Sequence, residues 1–146
     1  FTIPVALLLA LLLKPEFTLT WQNGILFLPA LIMAWALRFF WGYWLALLAF
    51  WATRADGFLA LQDSLVFLLG GQVAPTRLLP PIIQAFSTIL PFRYMAAFPV
   101  EVLTGQLVQS QILEGFIIQG FWLVVALGLY VLTWRNGVRR YEAVGG

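Results

Sequence analysis

The chain has 146 residues, room for one domain. Hydrophobic residues make up 62% of it and charged residues 10%, against roughly 45–50% and about 25% in ordinary globular proteins, so a water-soluble fold of this size would expose very large apolar patches. With no histidine and no cysteine, histidine-ligated zinc, Ser-His and thiol nucleophiles, disulfides and cysteine-ligated iron–sulfur clusters are excluded, and eight bases against six acids are too few and too scattered for a nucleic-acid stripe.

The first apolar stretch, residues 1–13, has no basic region before it and is closed by Lys14, Pro15 and Glu16. It does not read as a signal peptide. It reads as the tail of a membrane span, which makes residues 1–146 the expected C-terminal part of one transmembrane domain whose earlier spans are missing. The second stretch, 25–52, is expected to be one helix of about 42 Å, longer than a hydrocarbon core of about 30 Å. Arg38 lies near its middle. A hairpin at that point would leave arms too short to span, and Phe39-Phe40-Trp41 is no turn.

After the polar turn 53–57, residues 58–69 form a third, short stretch interrupted by Gln62 and Asp63, which barely reaches across even with Gly70, Gly71 and Gln72. Residues 78–103 are apolar but broken by Pro80, Pro81, Pro91 and Pro99. Each proline removes a backbone hydrogen bond and clashes with the preceding turn, so two or three short helical pieces are expected. Broken backbone persists at membrane depth only where protein or water satisfies it, which predicts a re-entrant or surface-lying helix pair. Residues 116–134 read as a clean final span, followed by Arg135, Arg139 and Arg140. Those clustered arginines place the C-terminus in the cytoplasm. The fold class expected is all-α, a polytopic transmembrane bundle with a proline-broken external re-entrant segment before the last span.

No Walker-type phosphate loop is present, because Gly-Lys-Ser/Thr occurs nowhere. No residue is expected to be catalytic, and none to hold a metal or cofactor. Arg38 is the costliest residue, at roughly 2.5–3.5 kcal/mol for an arginine at the centre of a spanning helix. It either lines a substrate path or headgroup site, or snorkels to a neighbouring helix. Counted from the 54–56 turn, Arg38 stands about 24 Å up its helix and Asp63 about 10 Å up the next. A direct ion pair between them is therefore not expected, and Asp63 is placed in hydrated surroundings. The spacings Ala30/Ala34 and Gly42/Ala46 permit close helix packing. Trp51, Trp134 and Tyr141 fit an interfacial belt.

Phe50-Trp51 at the end of a long span is followed by Leu68-Leu69-Gly70-Gly71, Pro75, Leu79-Pro80 and Leu90-Pro91-Phe92-Arg93-Tyr94. With Phe98-Pro99, Val102-Leu103-Thr104-Gly105 and the closing Arg140-Tyr141-Glu142-Ala143-Val144-Gly145-Gly146, this ordered set resembles the C-terminal half of ABC type-2 exporter permeases. The fit is best to the viologen-exporter-like branch. The resemblance implies an inner-membrane, multi-pass permease whose ATP is bound by separate ATP-binding cassette subunits. It also implies a second permease copy or paralogue, and short external re-entrant helices before the last span.

On this reading Arg38 and Asp63 are the residues expected to touch the substrate path. Gly70, Gly71, Pro80, Pro91, Phe92, Arg93, Tyr94 and Pro99 are expected to build the external gate. Membrane lipid is the remaining partner; nucleic acid is not one. Two alternatives stay open: a non-transporting assembly or anchor subunit, and a secondary transporter, against which the scarcity of acids speaks.

Overall fold

The computed structural model describes residues 20–48, 56–71 and 80–142, with 56 and 138–142 described by backbone alone. Residues 1–13, the 53–55 turn, Trp51, Pro75 and the side chains of Arg139, Arg140 and Tyr141 lie outside what is described. Among the described residues there are five helices and no strand: α1 Trp21–Leu47, α2 Asp56–Leu69, α3 Pro81–Ile89, α4 Phe92–Leu103 and α5 Gln109–Glu142.

The long second stretch is one helix, as its unbroken apolar run requires. It ends at Leu47 with Leu48 as its C-cap, earlier than the apolar composition indicated. Pro29 sits inside α1 and withholds one backbone donor without ending the helix. α2 stops at Leu69 because Gly71 turns the chain with φ 75°, a left-handed conformation that glycine adopts without steric cost. At 14 residues, about 21 Å, α2 falls short of a hydrocarbon core of about 30 Å. The last helix is longer than the clean apolar stretch implied, running 34 residues. Its start is closed by Gln111, whose Oε1 accepts from the Val108 N–H at 3.1 Å, half of a capping box.

The proline-rich stretch divides into two helices. Pro80 caps α3 and Pro81 opens it, where a missing N–H costs nothing. The break falls at Leu90-Pro91. Pro99, expected to be a further break, instead lies inside α4. α4 ends in a Schellman turn: Gln106 N–H donates to Glu101 O at 3.0 Å, Gly105 N–H to Val102 O at 3.3 Å, and Gly105 has φ 68°.

α4 is the hub. It packs against α1, α2, α3 and α5 and buries Phe92, Tyr94, Met95, Phe98, Pro99, Glu101 and Val102. α4 is thus an inner helix of the described bundle. α1 buries Ala30, Ala34 and Leu37, so the small-residue pair Ala30/Ala34 lies on its packed face. On α5, a Cβ at Gly115 would collide with the Phe98 ring, so only glycine admits that ring here. Among the described residues, α1 and α5 are the two helices long and apolar enough to cross a membrane, and only 17% of the most apolar window of each is buried within the chain. The core helix of a soluble protein would be mostly covered; these present their apolar surface outward, to lipid or to further protein.

Candidate functional site

The break between α3 and α4 is closed by one backbone bond and two side chains. Leu90 N–H donates to Phe86 O at 2.9 Å, Tyr94 Oη–H to Thr88 O at 2.8 Å, and Trp122 Nε1–H to Ile89 O at 2.9 Å. The terminal carbonyls of α3 thus find donors in its own C-cap, on α4 and on α5, as backbone at low dielectric must. At its other face α3 is tied to α2 by Ser87, whose buried hydroxyl donates to Leu69 O at 2.7 Å. Gln119 of α5 is fully buried, and its Nε2 donates to Ala30 O on α1 and Tyr94 O on α4, both at 3.0 Å. One amide therefore fastens three helices.

Among the described residues, two arginine–carboxylate pairs occupy separate parts of this frame. Arg93 Nη2 donates to Glu101 Oε2 at 2.6 Å within α4, and the Arg93 guanidinium stands 5.8 Å from the centre of the Tyr94 ring. Arg38 Nη2 donates to Asp63 Oδ1 at 3.0 Å, joining α1 to α2. This second pair corrects the depth argument, which counted Arg38 from the 54–56 turn. Counted from the ends of the helices as they stand, Leu47 and Asp56, Arg38 is about 14 Å up and Asp63 about 10 Å up. An arginine side chain covers that difference. Arg38, Asp63 and Ser64 line a shallow recess of about 450 Å³ with Val66 and Phe67.

The other sequence-selected residues fall around the α3–α4 break. Gly70 is buried, and a Cβ there would collide with the Val66 carbonyl oxygen and approach the Phe92 carbonyl at 3.2 Å. Gly71 supplies the turn after α2, Pro80 caps α3, and Pro91 caps α4. Phe92 packs edge-on against Trp41 at 6.2 Å, Tyr94 against Phe98 at 5.7 Å, and Pro99 is buried inside α4. The structure brings Pro91, Phe92, Arg93 and Tyr94 together at one end of α4, with Pro99 two turns along it. Arg38 and Asp63 form a separate cluster on α1 and α2.

Sequence reasoning passed over Ser87, Glu101, Gln119 and Trp122. Gln119 left a usable signal, a lone amide inside an otherwise apolar stretch, where an unsatisfied polar group is costly. Glu101 left another, a carboxylate between Val100 and Val102. Beside them lies a cleft of about 640 Å³ between α3, α4 and α5 that includes Arg93, Tyr94, Glu101, Glu114 and Trp122 in its walls.

Comparison with known proteins gives no match among curated proteins or solved structures. The family described as ABC-2 family transporter protein matches residues 2–145, nearly the whole chain. With outward-facing apolar helices and a break sealed by internal donors, the chain belongs to the ABC-2 transporter family, as a membrane permease component that works with a separate ATPase subunit.

Proposed function

We propose that this chain forms part of the translocation path and external gate of an ATP-driven exporter, in the viologen-exporter-like branch of its family. In this reading α1 and α5 cross the inner membrane and α3–α4 form re-entrant helices on the outer side, with the C-terminus cytoplasmic. A second permease copy or paralogue completes the path, ATP-binding cassette subunits supply the force, and lipid covers the remaining apolar surface.

The observation that carries the path is the Arg38–Asp63 pair, whose side chains are 46% and 65% exposed on otherwise apolar helices. Charges facing hydrocarbon are expensive, and intramembrane ionisable residues turn toward protein or a water-filled cavity. A half-exposed pair therefore fits a wall of the path, met by water or by polar groups of another subunit. The gate draws its support from the sealed break at Leu90-Pro91, together with Gly70, Gly71, Pro80, Arg93, Tyr94 and Pro99 around it.

The test uses the complete permease in its native membranes. A near-stoichiometric Walker-motif ATPase should copurify with it. Arg38→Leu and Pro91→Ala should each abolish export while the protein accumulates normally. Full export with Arg38→Leu at normal abundance would remove the path role, and a clean preparation lacking any ATPase would remove the exporter reading.

A further inference from the structure

The cleft between α3, α4 and α5 has a polarity gradient. Its α5 wall presents Gln111 and Glu114 first, then Ile118, Phe121 and Trp122, all on one helical face and spread over about 15 Å. Ile89 and Phe121 line the cleft and are themselves exposed, so its apolar end opens outward between helices. Polar and apolar ends side by side, on the flank of a membrane helix, suit an amphiphile entering from the bilayer.

The charges narrow the ligand further. Arg93 is held by Glu101 through Nη2 and is mostly enclosed, yet its buried Nε has no hydrogen-bond partner among the described residues. A buried donor left unmade carries a desolvation cost that a ligand oxygen would relieve. Glu114 is exposed at the polar end and takes part in neither ion pair among the described residues. A purely anionic ligand would meet two carboxylates, and a purely cationic one would meet the arginine. A phosphate beside a primary amine satisfies both.

Resting on the reading of this chain as a membrane permease, we propose that the cleft binds a zwitterionic phospholipid of the phosphatidylethanolamine type, with its phosphate on Arg93, its ammonium on Glu114 and an acyl chain along Ile118, Phe121 and Ile89.

The complete permease, purified from native membranes, is loaded with equal amounts of phosphatidylethanolamine and phosphatidylglycerol of matched acyl chains. The lipids retained are then read by native mass spectrometry. The wild type should prefer phosphatidylethanolamine about tenfold, the factor one charge-assisted hydrogen bond supplies. Glu114→Gln should bring that preference to within about twofold, and Gln84→Trp, which fills the cleft from α3, should lower retention of both lipids. Equal retention by the wild type, or a preference unchanged by Glu114→Gln, overturns the proposal. Displacement of the lipid by millimolar phosphoethanolamine overturns the lipid as ligand in favour of the free headgroup. Extraction of the protein without detergent and with no phospholipid bound would instead overturn the membrane reading beneath it.

Discussion

The Arg93–Glu101 pair closes within one helix at 2.6 Å with side chains only 16% and 11% exposed, whereas Arg38–Asp63 joins two helices at 3.0 Å with side chains 46% and 65% exposed. The enclosed pair spans two turns of α4 around Pro99, whose missing N–H leaves the Met95 carbonyl without its helical donor. It braces the helix that every other helix touches. The open pair braces little, since an exposed ion pair contributes about 0–1 kcal/mol in water. What it offers is charge at a surface that something else must meet. The same two functional groups are therefore enclosed in one region and open in the other, the open pair being the one proposed to face the path.

That contrast can be broken from its strong side first. Glu101→Leu leaves an enclosed arginine unpaired and should lower stability by about 3–5 kcal/mol, while Arg93→Met combined with Glu101→Leu should recover most of the loss. Thermal unfolding of the purified permease reads both; a single substitution as mild as the double would show that the pair is not structurally enclosed. Next in size is Gly115→Ala, which drives a methyl group into the Phe98 ring and should cost about 1–3 kcal/mol. Phe98→Leu in the same chain should relieve part of that cost, because it shortens the colliding side chain. Gln119→Leu removes two hydrogen bonds linking α5 to α1 and α4 and should cost about 1–2 kcal/mol in the same assay. Smallest is Arg38→Leu, with a stability change under about 1 kcal/mol but loss of export. Normal export would erase the distinction between the two regions.

The divisions of the chain were legible where a residue forces the backbone. Pro91 marks the break, Pro80 and Pro81 mark the start of α3, and Gly70-Gly71 mark the end of α2. The end of α1 was not legible, because residues 46–52 contain no glycine, proline or capping residue between Ala46 and Ala52. That missing punctuation shifted the count of turns and hid the Arg38–Asp63 pair. Pro99 misled in the opposite direction: a proline reads as a break, yet packing on four neighbours holds α4 together through it. Residues around the Leu90-Pro91 break were reachable from sequence, but their partners Ser87, Glu101, Gln119 and Trp122 were not, because their contacts depend on helices far apart in the chain meeting side by side.

The indole that closes the end of α3 has a consequence for synthesis. Trp122 follows Ile89 by 33 residues, so when α3 leaves the ribosome the donor for its last carbonyl does not yet exist. At about 5–20 residues per second, that interval lasts seconds. Until α5 emerges, the end of α3 must keep its carbonyl bonded to water at the mouth of the translocon rather than settle into lipid. The end of α3 therefore reaches its final bonding only after α5 is made. A ribosome stalled before Trp122 would display α3 with its last carbonyl still lacking that partner.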